Sequence, residues 1–212
     1  MLTGRASLQE GLPVTEPLPP TTRKVTSEEE LKQIVIGGPR RVDGPITIAE
    51  YDPAWPALYA REEARIRSIL GDRVVEIHHT GSTSVPGLAA KPIIDITLVV
   101  PDSSDEPAYV PDMEAAGYRL NIREPDWFEH RVFKGPDTNV NLHVFSPGCQ
   151  EIDRVVGFRD WLRTHPEDKE LYEATKRDLA SRTWAYVQNY ADAKTDVVEA
   201  IVARAGGPPR VD

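Results

Sequence analysis

A glycine and a serine at positions 81 and 82, and an aspartate at 95, carry the first chemical signal in this chain. Gly81-Ser82 follows "RVVEIHH", which reads as a β-strand. Consecutive backbone N–H groups at such a turn can gather an anion, and glycine lets a phosphate approach the backbone without a side-chain clash. Thr83 and Ser84 add hydroxyl donors. Asp95 lies in "PIIDITLVV" between Ile93, Ile94, Ile96 and Leu98, so its carboxylate must meet a cation, a donor or solvent at the strand's end. A phosphate turn beside a strand-borne carboxylate suits metal-assisted phosphoryl transfer, because Mg2+ is commonly held by one or two carboxylates plus substrate phosphates. An ion pair of Asp95 with Lys91 or an arginine is the structural alternative. The next outward position is Thr97, where such chemistry usually wants a second carboxylate.

Phosphate charge has candidate partners. Lys91 lies between the turn and the aspartate, Arg131 and Lys134 lie on "EHRVFKG", and Arg159 and Lys176 fall on later helices; each could equally be a surface charge or a core ion pair. His78, His79, His130 and His143 come from three expected strands, and their convergence with Asp95 would make a His/Asp site for Zn2+ or another transition metal. No H-x-x-x-H or H-E-x-x-H spacing supports that reading. Trp127 and Phe128 either stack on a ligand ring or fill the core, with core packing the safer expectation for Phe128.

The elements that must position these residues follow from periodicity. Residues 1–24 are rich in proline, threonine and small polar side chains, which predicts a flexible tail, and 1–45 as a whole read as tail plus one short helix. That helix is signalled by Ser27 and Glu30, a capping box, ahead of Leu31, Ile34 and Val35. "ITIAEY" alternates like a strand. Trp55, Leu58, Tyr59, Ile66, Ile69 and Leu70 then mark one face of a helix ending at Gly71, with Glu62 on the same stripe, where its carboxylate either reaches into a site or, as expected, pairs with a core arginine or lysine. "RVVEIHH", "PIIDITLVV", "YRLNI", "WFEHRVFKG" and "NVNLHVF" supply further strands, for a mixed sheet of five or six. "PIIDITLVV" reads as buried on both faces. A helix is expected over "EPAYVPDMEAAGY", and from Glu151 onward three more: "EIDRVVGFRDWLRTH", "PEDKELYEATKRDLASRTWAYVQNY" and "AKTDVVEAIVARA". The fold class is therefore α+β, a mixed sheet with flanking helices and a C-terminal helical segment, and residues 206–212 are a frayed end.

A net charge of −9 disfavours general nucleic-acid binding, which depends on lysine and arginine neutralising phosphates. A local cluster of donors can still hold a small phosphorylated ligand. No apolar run reaches the length needed to cross a bilayer, and with one cysteine, Cys149, the chain fits a reducing cytoplasm.

"HTGSTSVPGLAAKPIIDI", with "EYDPAWPALYAREEARI" before it and "HRVFKGPDTNVNLHVF" and "FRDWLRTHPEDKELYEATKRDLA" after it, resembles the GrpB family over Ile46 to Ala205. That family is similar to the nucleotidyltransferase superfamily. The resemblance implies one such domain over 46–205, a Gly-Ser loop that holds nucleotide phosphates, and a strand offering Asp-x-Asp/Glu to divalent metal. It maps Gly81, Ser82 and Thr83 onto phosphate binding, Ser82 and Asp95 onto catalysis, and Asp95 onto Mg2+. Lys91, Arg131, Lys134 and Lys176 would meet phosphate charge. The implied reaction is Mg2+-dependent transfer of a nucleoside monophosphate from a nucleoside triphosphate to an unidentified small-molecule or protein acceptor. Thr97 stands in place of the second carboxylate, and Asn141 and His143 in place of a third acid, unless Glu76 or Glu129 helps. Two readings stay beside this one: a non-catalytic nucleotide or phosphate-binding module, as in GrpB-like domains attached to dephospho-coenzyme A kinase, and the His/Asp metal-dependent hydrolase.

Overall fold

The computed structural model describes residues 25–211, so the expected tail at 1–24 lies outside the described residues. Five strands form one sheet: β1 (Glu76–Thr80), β2 (Ile94–Val99), β3 (Arg119–Glu124), β4 (His130–Lys134) and β5 (Val140–Phe145). Their order is β1-β2-β5-β4-β3, with β2 and β5 parallel and every other pair antiparallel. β2 is interior and nearly fully buried, as its aliphatic run requires.

Alternation divides the sheet chemically. Ile94, Ile96 and Leu98 of β2, Val140, Leu142 and Val144 of β5, Phe133 of β4 and Leu120 of β3 form an apolar core with Trp55, Ile66 and Leu70 of α2 (Trp55–Leu70) and Met113 of α3 (Val110–Ala115). The other face is polar, with Thr80, Asp95, Thr97, Asn141, His143, His130 and Lys134. Over it stand α4 (Gln150–Thr164), α5 (Pro166–Ala180) and α6 (Val187–Asp192), and α7 (Thr195–Arg204) packs on α4 and α5.

Glu62, on the apolar stripe of α2, is wholly buried and forms the expected ion pair, with Arg65 at 3.3 Å. It also accepts hydrogen bonds from the hydroxyls of Tyr118 and Thr138, both at 2.6 Å.

Two expected elements take another form. "ITIAEY" makes one isolated bridge, Ala49 with Ala90, because Ile46 and Ile48 instead bury their side chains against Leu179, Ala180 and Tyr190. The long helix expected over 166–190 ends at Ala180: Ser181 Oγ and the Trp184 indole take the carbonyls of Asp178 and Leu179, both at 2.7 Å. That interruption separates α5 from α6.

The N-terminal segment forms a strap. α1 (Glu28–Ile34) starts at the Ser27/Glu30 capping box. Val35 then bridges Ile122, and the Ile36 amide donates to the Asn121 carbonyl at 2.9 Å on β3. At its two ends the strap is tied to the helical side, by Thr26 to Asp192 at 2.8 Å and by the Gly44–Trp184 bridge. Residues 206–211, expected to fray, also make contacts: Gln150 donates to the Pro209 carbonyl and Trp127 to that of Val211.

Candidate functional site

Between the polar face, the helical side and the strap lies a cleft of about 1400 Å³. Gly81, Ser82, Thr83, Lys91, Asp95, Lys134 and Lys176 all line it, whereas two of the candidate phosphate partners, Arg131 and Arg159, do not.

Asp95 sits in the floor. Its Oδ1 accepts from the Asn141 amide at 2.7 Å, and the Asn141 Oδ1 accepts in turn from the Lys134 ammonium. Burial pushes the Asp95 carboxyl up, against the opposing pull of the Asn141 hydrogen bond and the charges of Lys91, Lys194 and Lys134. Gly81 is packed directly on this carboxyl, and a Cβ built there would lie 2.3 Å from Asp95 Oδ2. With φ +65° and ψ −175°, Gly81 occupies backbone space that is nearly closed to other residues.

The turn hydroxyls divide by task. Thr83 Oγ1 is buried and bonded to the Ile93 carbonyl at 3.1 Å, and Ser84 Oγ donates to the Gly81 carbonyl at 2.6 Å, so both fasten the turn. Ser82 is partly exposed and interacts with the Tyr172 hydroxyl, whose pKa burial raises to about 12.

Four lysines border the cleft. Burial lowers Lys91 and Lys194 to about 8 and Lys176 to about 7, and it lowers Lys134 as well. Lys91 and Lys194 flank the Tyr190 ring at 5.2 and 4.6 Å. The Tyr190 hydroxyl is buried and without a hydrogen-bond partner in the described residues. Lys176 donates to the Ala89 carbonyl and lies 4.7 Å from the centre of the Tyr172 ring.

Arg131 is one of the two candidates outside the cleft. It points to the opposite side of β4, is 4% exposed, and is paired with Glu106 at 2.6 Å and Glu129 at 3.2 Å. It holds the fold and does not reach the cleft. Glu129 is thereby engaged away from Asp95, and Glu76 is paired with His78 at 2.9 Å. Arg159 donates to the His79 carbonyl at 3.0 Å, which makes it structural too. Trp127 and Phe128 are partly buried against Phe145 and Ile152, and Trp127 also lines the cleft.

The histidines do not converge on Asp95. His79 stacks on Tyr59 with centroids 4.7 Å apart, His78 bonds Glu76, and His130 pairs with His143. No group of three or more His, Cys, Asp or Glu side chains among the described residues could hold a metal ion. The donor set around Asp95 likewise does not fit a two-carboxylate Mg2+ centre. One carboxylate oxygen is held by an amide, the charged neighbours are ammonium groups, and Thr97 Oγ1 is bonded to Thr80 Oγ1 at 3.1 Å.

Lys194, Tyr172 and Tyr190 join the site without a signal in the sequence, since α5, α6 and the turn between α6 and α7 that carry them lie far along the chain from the Gly-Ser turn. No helix among the described residues is long and apolar enough to cross a membrane.

Comparison with known proteins agrees with this architecture. A UPF0157 protein of Halalkalibacterium halodurans is 58% identical over 179 residues, covering 84% of this chain and 92% of the relative. Another UPF0157 protein, from Streptomyces coelicolor, is 43% identical over 176 residues, covering 83% of this chain and 91% of the relative. The crystal structure of the conserved protein GrpB from Enterococcus faecalis superposes with a TM-score of 0.63 at 28% identity, covering 75% of this chain and 96% of that one. Residues 45–204 match the family described as GrpB protein, and the chain belongs to that family.

Proposed function

We propose that the cleft binds a phosphorylated small molecule, a nucleoside triphosphate by preference, and that its lysines supply the positive charge a metal would otherwise bring. The carrying observation is the group of four lysines that lines the cleft around Asp95 in a protein of net charge −9. Partly desolvated ammonium groups hold phosphate oxygens more strongly than exposed ones do. Before a ligand arrives, Asp95 acts as the internal counter-charge of Lys91, Lys194 and Lys134, and Asn141 keeps its carboxylate turned to them. Gly81 leaves the turn open, and Ser82 offers a hydroxyl.

Titration calorimetry of ATP, GTP, CTP and UTP, with Mg2+ and with EDTA, tests this reading. Binding that survives EDTA and weakens about tenfold in Lys91→Met or Lys194→Met is expected, a loss of about 1.4 kcal/mol each. Binding of none of the four rejects the proposal.

The lysines also set a pH dependence. Affinity falls from about pH 7 to 9 as Lys176, near 7, and Lys91 and Lys194, near 8, lose their protons. Their effect on stability has the opposite sign. An unfolded lysine titrates near 10.4, so the unfolded chain binds more protons above pH 7 and the lysine contribution to stability rises up to about pH 10. Calorimetry and urea unfolding across that range should diverge accordingly.

A second reading, Mg2+-dependent nucleotidyl transfer, draws on the contact of Asp95 with the Gly-Ser turn. Mg2+-dependent release of pyrophosphate, lost in Asp95→Asn, would favour it over binding alone.

A further inference from the structure

The cleft floor carries a second polar constellation that the phosphate site leaves unused. Glu124 ends β3, His130 begins β4 and His143 lies on β5, and all three line the cleft. His130 Nδ1 is 2.6 Å from Glu124 Oε2, and His130 Nε2 is 3.0 Å from His143 Nδ1. The two imidazoles are parallel to within 6°, and His130, 4% exposed, is enclosed by Trp127 and Phe145.

Hydrogen bookkeeping along this chain is restrictive. A carboxylate only accepts, so His130 Nδ1 must carry a hydrogen. In a neutral His130 the Nε2 is then bare and accepts from His143 Nδ1–H. His143 is left with its one hydrogen on Nδ1 and a bare Nε2. Burial, together with His130 and Lys134, keeps His143 neutral by lowering its pKa to about 3. His143 Nε2 has no hydrogen-bond partner in the described residues.

The surrounding groups are mostly donors: ammonium groups and the Ser82 hydroxyl. They suit phosphate oxygens. An acceptor among them suits the part of a phosphate compound that donates, namely its hydroxyls. His143 stands two residues from Asn141 on β5, about 7 Å along the strand, a distance a sugar attached to the bound phosphates can span.

We propose that Glu124 and a neutral His130 lock the tautomer of His143, and that the bare Nε2 so presented accepts a hydrogen bond from a hydroxyl of the bound phosphate compound, a ribose hydroxyl in a nucleotide. The hydroxyl assignment rests on the phosphate-site reading; the tautomer lock does not. Glu124 and His130 are positioning residues that act through His143.

Two experiments decide the two parts. In 15N spectra of histidine-labelled native protein at about pH 8, His143 should show a protonated Nδ1 and an unprotonated Nε2, the reverse of the usual imidazole preference. Glu124→Leu should return it toward the usual form. A native His143 protonated on Nε2 overturns the lock. In calorimetry, ATP should bind about tenfold more tightly than 2′,3′-dideoxy-ATP to the native protein, and equally to His143→Phe. Equal affinities in the native protein overturn the hydroxyl assignment and leave the phosphate site standing. Binding of neither nucleotide removes the hydroxyl assignment and the phosphate site together, and the lock is then judged by the spectra alone.

Discussion

Gly81→Ala is expected to lower the unfolding free energy by about 3 kcal/mol and to destroy ligand binding in whatever protein still folds. Two separate costs add. The backbone at φ +65° and ψ −175° admits glycine almost alone. The new methyl would also lie 2.3 Å from Asp95 Oδ2 and 2.9 Å from Asp95 Cβ. The carboxyl cannot swing clear cheaply, because Asn141 holds it at 2.7 Å and Lys134 holds Asn141. Gly87→Ala is the control. It shares a positive φ of +74°, but its nearest neighbour is the flexible end of Lys169 at 3.8 Å, so strain operates there without collision. Its cost should be nearer 1 kcal/mol. Adding Asp95→Ala to Gly81→Ala should recover part of the stability, and a double-mutant cycle by urea unfolding would measure that share. Equal losses at Gly81 and Gly87 would show that the contact with Asp95 is unimportant.

Glu62→Ala is expected to cost about 3–5 kcal/mol while leaving ligand affinity per folded molecule unchanged. Its carboxylate is the acceptor for two buried hydroxyls, those of Tyr118 and Thr138, as well as the partner of Arg65. Truncation leaves the Tyr118 hydroxyl without its partner in a residue only 2% exposed, and it opens a void beneath the sheet. Glu62→Gln keeps the volume and one acceptor oxygen, so about 1–2 kcal/mol is expected. The pair Gly81 and Glu62 thus separates site from scaffold, since only the first change should alter calorimetric affinity. A loss under about 1 kcal/mol in Glu62→Ala would mean that water replaces the carboxylate there.

Much of the scaffold was legible because burial leaves a periodic record. The aliphatic run around Asp95 gave an interior strand, and Ser27 with Glu30 gave a helix start. "ITIAEY" misleads because alternation reports which side chains are buried, not what buries them; here α5 and α6 serve where a strand partner was expected. The break after Ala180 depends on Ser181 and Trp184 reaching back to helix carbonyls, which periodicity does not encode. In the site, Arg131 was a readable error. Arg131 and Lys134 are an odd number of positions apart, so a regular strand sends them to opposite faces and only one can line the cleft. Lys194 and Tyr190 were beyond reach, since nothing in their local sequence records that two helices fold back over the Gly-Ser turn. The histidines suggested metal because of their number, whereas their partners, Glu76, Tyr59 and Glu124, are what assign them.

The strap that joins β3 to the helical side has a consequence for solubility. β3 is the last strand of the sheet, and its outer backbone groups are a template on which another chain's strand could form. Val35 and Ile36 occupy that template at Ile122 and Asn121. They lie ahead of the 45–204 stretch that carries the family match. A chain trimmed to that stretch would keep the cleft floor and its lysines, yet bare an edge bearing Ile122, and edge-to-edge association of trimmed chains would grow as concentration rises.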